Sequence, residues 1–224
     1  MINRRRNGNV QKHKTGRYDS GTGSVIFTVT HFSQYAIVYS KVTFNDLKKY
    51  PEAEEAVQVL ASRGILEGTA HNLFSPGKSI TREEFAMRTI NAFSLTAGYN
   101  DNFSDVGETD EYYDALGIAK ALGLMNGTGN NRCSPEKPIT RQEMLTIMAK
   151  IPKLAGKDTL SGTAEDISKF KDVSKVAKYA YESVAAMVGS GLFTVTGDRL
   201  NPTAAVTRAE MAQILYKIYK LKLN

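Results

Sequence analysis

Three arginines occupy the same place in three short boxes: Arg82 in Ile80-Thr81-Arg82-Glu83-Glu84, Arg141 in Ile139-Thr140-Arg141-Gln142-Glu143, and Arg208 in Val206-Thr207-Arg208-Ala209-Glu210. Thr followed three residues later by Glu is a capping box. Its hydroxyl accepts from the N3 amide, and its carboxylate reaches back to the N-cap amide. That assigns Thr81, Thr140, Thr207, Glu84, Glu143 and Glu210 to starting a helix. The arginines are left over. Each falls at the first helical position, where the positive end of the helix dipole disfavours a cation. A guanidinium fork beside free helix amides makes a compact site for a carboxylate or a phosphate. Pairing with a carboxylate of a neighbouring unit is the other use, and the residues alone leave the two open. On the first use, replacing Arg82 or Arg141 by Ala leaves the fold intact, because the Thr–Glu cap remains.

Three aspartates recur as well: Asp46 in Phe44-Asn45-Asp46-Leu47, Asp105 in Phe103-Ser104-Asp105-Val106, and Asp172 in Phe170-Lys171-Asp172-Val173. They read as N-terminal caps or as acceptors for ligand hydroxyls. Sugar sites combine such carboxylates with arginine, aromatic faces and glycine-rich backbone. Catalytic patterns are weaker. A carboxylate pair could hydrolyse a glycoside, but most of these carboxylates are explained as caps. His13, His31 and His71 are scattered, and no Ser–His–Asp or metal spacing appears. Cys133 is the only cysteine, so there is no internal disulfide and no partner for a thiolate metal site. We therefore expect no enzyme activity, no metal and no cofactor.

The elements that position these residues follow from a long repeat. In unit one, Ala53, Ala56, Val57 and Leu60 form an apolar helical stripe. Unit two offers Ala115, Ile118, Ala119 and Leu122, and unit three Ala180, Val184, Met187 and Val188. Each helix stops at a glycine (Gly64, Gly123, Gly191), which tolerates the left-handed backbone of a helix end. A loop follows, through Phe74-Ser75-Pro76, Cys133-Ser134-Pro135 and Leu200-Asn201-Pro202, and then the boxed second helix. From stop glycine to arginine the spacing is 18, 18 and 17 residues. Successive box threonines lie 59 and 67 residues apart, and the excess falls in a polar, glycine-containing loop at 153–166. No helix–loop–helix unit of this kind can bury its stripe alone. Three packed together can.

The net charge of +6 invites a nucleic-acid reading, but its distribution argues against one. Residues 1–17 hold Arg4, Arg5, Arg6, Lys12, Lys14 and Arg17 and no acid. Setting these six aside from 29 basic residues leaves 23, equal to the 23 acidic ones. We read 1–17 as a basic disordered tail and expect no nucleic-acid partner. Residues 18–40 form a short β segment from a preceding domain, with strands over Ser24–Thr30 and Tyr35–Tyr39. Two strands alone bury too little. No stretch reaches the ~18 apolar residues of a membrane span, so we expect no membrane insertion. No signal-peptide pattern opens the chain, so it reads either as an intracellular protein or as the C-terminal piece of a longer exported one.

From about residue 42 to 220 these residues resemble the S-layer homology (SLH) family. The family pattern is a Phe-x-Asp-Val start, a helix ending in Gly-Ile, a glycine-containing loop reaching Phe-x-Pro, and Ile-Thr-Arg-Ala-Glu. The segment from Val29 to Ala36 also looks like the β tail preceding such repeats in some surface proteins. The resemblance implies a mainly α fold: three repeats (41–95, 96–152 and 153–224, the last with a leading loop) in a pseudo-threefold assembly with three grooves. It implies a non-catalytic anchor on the bacterial cell wall, holding a secondary cell wall polysaccharide that often carries pyruvylated N-acetylmannosamine. By position, Arg82, Arg141 and Arg208 would bind the pyruvate carboxylate. Asp46, Asp105 and Asp172 would contact hydroxyls or order the groove, and Gly68 and Gly127 would let backbone approach the sugar. The chain lacks the family's early tryptophan, whose place falls near Glu52, Glu111 and Tyr179. The third loop lacks the glycine of Gly68 and Gly127, so the loops of units one and two are the better groove candidates. A self-assembling scaffold, with other surface-layer subunits as partners, is the competing function.

Overall fold

The computed structural model describes residues 2–4, 10–12, 16–19, 21–27, 34–36 and 41–223. Strands β1 (Ile2–Arg4), β2 (Val10–Lys12), β3 (Arg17–Asp19), β4 (Ser24–Ile26) and β5 (Gln34–Ala36) come first. The sheets run β2-β1-β5 and β3-β4, with antiparallel pairing throughout. Two of these strands, β1 and β2, lie within 1–17, where a disordered tail is expected; β5 pairs with β1 of that segment, and β4 pairs with its chain neighbour β3. Backbone pairing needs no alternation of apolar residues, so a basic segment gives no sign of it. The outer parts of the expected strands, Thr28–Thr30 and Ile37–Tyr39, lie outside the described residues, as do His13 and His31.

The rest is mainly α. Unit one holds a 3-10 turn at Asn45–Lys49, α1 (Pro51–Ser62) and α2 (Arg82–Phe93). Unit two holds α3 (Tyr113–Ala121), α4 (Arg141–Met148) and α5 (Ile151–Leu154). Unit three holds α6 (Ala164–Ser168), α7 (Tyr181–Gly189) and α8 (Arg208–Leu223). The helix α6 falls at the end of the expected 153–166 loop. Thr163 and Asp166 cap it, and its Ile167 is buried. The run that is unbroken in α8 is divided in unit two, where Pro152 opens α5 and has no N–H to continue a helical ladder.

Each first helix packs on the second helix of the preceding unit: α3 on α2, α7 on α4, and α1 on α8, which closes the circle. The stripes explain this. Ala53, Val57 and Leu60 are fully buried, as are Leu116, Val184 and Met187. Phe85, Met144 and Met211 of the second helices meet them in one continuous core. Gly64, Gly123 and Gly191 carry positive φ of 69°, 64° and 71° where the first helices end. The amides of Gly64 and Ile65 turn back to Ala61 and Leu60, which satisfies carbonyls the helix end would orphan. Arg63 ties the β segment to this body: its Nη1 donates to the Gly16 carbonyl at 2.7 Å and to the hydroxyl of buried Tyr219 at 2.8 Å.

Candidate functional site

The three boxes meet at the axis of the ring. The Ile80 amide donates to the Val206 carbonyl, Val206 to Ile139, and Ile139 to Ile80, at 3.0, 3.0 and 3.1 Å. All three side chains are fully buried there. One residue on, each helix begins with its Thr cap. The Glu84 amide donates to Thr81 Oγ1 at 3.2 Å, and Glu143 and Glu210 accept from the Thr140 and Thr207 amides at 2.8 and 2.9 Å.

The next two amides of each helix point at the following unit's loop. Arg82 and Glu83 donate to the Lys137 and Pro135 carbonyls, Arg141 and Gln142 to Ala204 and Pro202, and Arg208 and Ala209 to Lys78 and Pro76. These helix starts therefore have protein partners for their first-turn donors. The free-amide half of the expected anion site is absent from them.

The guanidinium groups follow the same cycle. Arg82 Nε donates to the Cys133 carbonyl at 2.6 Å, and its Nη1 to Glu143 at 2.6 Å. Arg208 Nε donates to the Phe74 carbonyl at 2.9 Å, its Nη1 to Glu84, and its Nη2 to the Glu67 carbonyl at 2.6 Å. Arg141 Nη1 donates to the Leu200 carbonyl at 2.9 Å, and its Nη2 pairs with Glu210. Each arginine thus pairs with the box glutamate of the next unit. Arg82 and Arg208 are only 5% and 3% exposed. Removing a buried partner leaves a charge and a carbonyl unpaired, so the expectation that Arg82→Ala keeps the fold intact on the strength of its cap does not fit these contacts.

The aspartates do not cap the first helices either. Asp46 sits inside the 3-10 turn and accepts from the Phe74 and Ser75 amides at 3.0 and 2.7 Å. Asp105 accepts from Cys133 and Ser134 at 2.8 and 2.9 Å, and Asp172 from Leu200 and Asn201 at 2.7 and 2.8 Å. Ser75, Ser134 and Asn201 have φ of 56°, 51° and 49°, so each carboxylate pins a left-handed turn just before a proline. Burial alone would raise the carboxyls of Asp105 and Asp172. The two amides that each accepts overcome it and hold both below the ordinary range. Phe74, Cys133 and Leu200 are therefore joints. Their amides bind their own unit's aspartate, and their carbonyls bind the preceding unit's arginine. Burial pushes the Cys133 thiol up to about 12, so it stays protonated.

Two clefts open on the flank. One, of about 390 Å³, is lined by Arg82, the loop from Leu124 to Thr128, Glu143, Ile147, Lys150 and Tyr179. The other, of about 270 Å³, is lined by Arg141, Phe193, Glu210, Ile214, Lys217 and Glu52. They are equivalent: box arginine, next unit's loop, its second helix, and the start of the following first helix. The third loop does line a cleft, with Arg141 6.0 Å from the Phe193 ring, although it lacks the glycine. In unit two, a Cβ on Gly127 (φ 80°) would stand 2.5 Å from the Arg132 carbonyl oxygen. On Gly68 it would stand 2.6 Å from that of Leu73. Both loops need the glycine for their own closure, and Gly127 also lines a cleft.

Lys150 and Lys217 are cleft residues that the sequence reading missed. Burial lowers the affinity of both amines for a proton, and for Lys217 the Lys220 charge adds to it. Lys150 reaches the Gly123 carbonyl at 2.6 Å, and Lys217 reaches Thr194 Oγ1 at 3.1 Å. Their signal was present: both stand nine residues after a box arginine. Among the described residues no His, Cys, Asp and Glu cluster could hold a metal ion, and no helix is long and apolar enough to cross a membrane.

A cyclic array of helix–loop–helix repeats, joined by arginines and grooved between units, is a class of repeat module. Its three units match the S-layer homology domain over residues 43–86, 102–145 and 169–212, and the chain belongs to that family. It is 34% identical over 90% of its length to an amylopullulanase of Thermoanaerobacterium thermosulfurigenes. It is 31% identical over 92% to exoglucanase XynX of Acetivibrio thermocellus, and 33% over 76% to the surface-layer 125 kDa protein of Lysinibacillus sphaericus. It spans 11%, 18% and 14% of those three proteins' own lengths.

Proposed function

We propose that this chain is a non-catalytic anchoring module that fixes an exported protein to the bacterial cell wall by binding a secondary cell wall polysaccharide in its inter-unit grooves. The observation that carries this is the pair of equivalent clefts. Each brings a partly buried lysine (Lys150 or Lys217), a box arginine and an aromatic ring (Tyr179 or Phe193) to one concave wall. Tyr179 is 61% exposed, a free face on which a sugar ring can stack. The relatives support the same reading. A module shared by two glycan-degrading enzymes and a surface-layer protein, and forming a small part of each, is the common attachment rather than the chemistry.

The ligand we propose is pyruvylated, because the clefts offer cations to a carboxylate. Arg82 Nη2 has no acceptor among the described residues, and Lys150 lies in the same cleft. Arg141 serves the second cleft with Lys217, and Arg208 belongs to the third groove. In this reading Asp46, Asp105 and Asp172 order the groove loops rather than touch sugar, Gly127 lets the loop close at the cleft wall, and Gly68 does the same in unit one.

Calorimetric titration with purified wall polysaccharide, before and after chemical removal of its pyruvate, tests this. Binding that disappears with the pyruvate is the expected result. Binding that survives moves recognition to the neutral sugars. No binding to either form, with concentration-dependent self-assembly instead, sinks the anchoring reading in favour of a scaffold.

A further inference from the structure

We infer that Arg88 is a ligand-binding cation particular to the unit-one groove, where it receives an anionic substituent of the glycan. This rests on reading the grooves as the glycan site. In the two clefts described above, the positions equivalent to Arg88 are Ile147 and Ile214, both buried or nearly so. The fold accepts an aliphatic side chain there twice, so it does not need a guanidinium.

Arg88 is poorly satisfied where it stands. Its side chain is 13% exposed, and its Nε is buried with no partner. Its ion pair is a 3.5 Å approach of Nη2 to Glu67, a carboxylate that is itself 71% exposed. Such a pair is weak. Beside it lies Arg208, whose three nitrogens all have acceptors: the Phe74 carbonyl, Glu84 and the Glu67 carbonyl. Burial pulls the Arg208 guanidinium below its ordinary affinity for a proton, Glu84 opposes this, and the Arg88 charge adds to it. Two cations thus crowd one groove, and only one is fully bonded. A buried guanidinium with an orphan N–H is unfavourable until an acceptor arrives.

Tyr112 immediately precedes α3, which packs on the Arg88 helix α2. Burial raises its phenol, nearby Glu111, Glu83 and Glu84 add to that, and Arg88 opposes it. Arg88 on α2 and Tyr112 at the start of α3 thus belong to two packed elements, and the guanidinium fork suits a sugar bearing a carboxylate. Unit one would carry its second cation at Arg88, where units two and three have an isoleucine and carry theirs at Lys150 and Lys217.

The test uses oligosaccharides released from pyruvylated wall polysaccharide, with and without pyruvate, titrated against the full chain and its Arg88→Ile and Arg88→Lys variants. The expected result for Arg88→Ile is loss of one class of site, or weakening at it by on the order of tenfold or more. Arg88→Lys, which keeps charge without the fork, falls between. The free Arg88→Ile protein should melt no lower than the parent, since isoleucine occupies this place in both sister units. Unchanged or stronger binding by Arg88→Ile overturns the inference and makes Arg88 a plug. Weaker binding accompanied by a lower melting temperature also overturns it, as a structural effect. If the parent chain binds neither oligosaccharide, the anchoring reading itself falls and this inference falls with it.

Discussion

At the axis the three units are nearly interchangeable, and on the flank they are not. Ile80, Ile139 and Val206 close one ring of backbone bonds, and Arg82, Arg141 and Arg208 close a second through Glu143, Glu210 and Glu84. A few ångströms outward the equivalents diverge: Arg88 against Ile147 and Ile214, Asn91 against Lys150 and Lys217, and Tyr179 against Glu52 and Glu111. The axis is a shared joint, where a change in one unit strains two. A groove wall faces solvent, so each unit can vary alone. Symmetry therefore marks the residues that hold this protein together, and asymmetry marks those that can specialise.

The largest test breaks the axis. Arg208→Ala should destabilise by about 3–5 kcal/mol, because Glu84, the buried Phe74 carbonyl and the part-buried Glu67 carbonyl lose their donor. Urea unfolding measures it. Arg141→Ala should cost less, since Arg141 is 16% exposed and its Nε already lacks a partner. Equal losses would mean that burial does not distinguish the joints.

A smaller loss, about 2–3 kcal/mol, is expected for Gly127→Ala, from its positive φ together with the overlap with the Arg132 carbonyl. A melting temperature that does not move would refute this account of the loop.

Acid should act on the loop aspartates next. The folded-state carboxyls of Asp105 and Asp172 are lowered, so the stability they confer is full above the unfolded value of about 4. It is lost as pH falls through the lower folded values. Asp172→Asn should flatten the stability-against-pH curve below about pH 4, and a curve parallel to the parent's would remove Asp172 from that role.

The smallest effects belong to the flank. Lys150→Ala should leave the melting temperature within a degree or two and weaken oligosaccharide binding severalfold, on the order of 1 kcal/mol. A large fall in stability would instead make Lys150 chiefly a cap on the Gly123 carbonyl.

The fold was largely legible in the chain. Apolar stripes, stop glycines, capping boxes and a near-constant spacing determine helix–loop–helix units, because each is a local preference that three copies state three times. The β segment was only partly legible, since strand partners are chosen by backbone pairing at a distance. The site was legible as residue types but not as roles. Nothing local shows that Asp46 reaches the Phe74 amide 28 residues away, or that Arg208 reaches back to Glu84.

The order of amino acids alone sets which residues recur and which helices they start. What those residues touch is settled by how the three units pack. Closing the ring places each arginine within reach of the next unit's glutamate and leaves Arg88, Lys150 and Lys217 facing the grooves. A guanidinium takes the nearest well-placed acceptor, and which acceptor is nearest is a property of packing rather than of position along the chain.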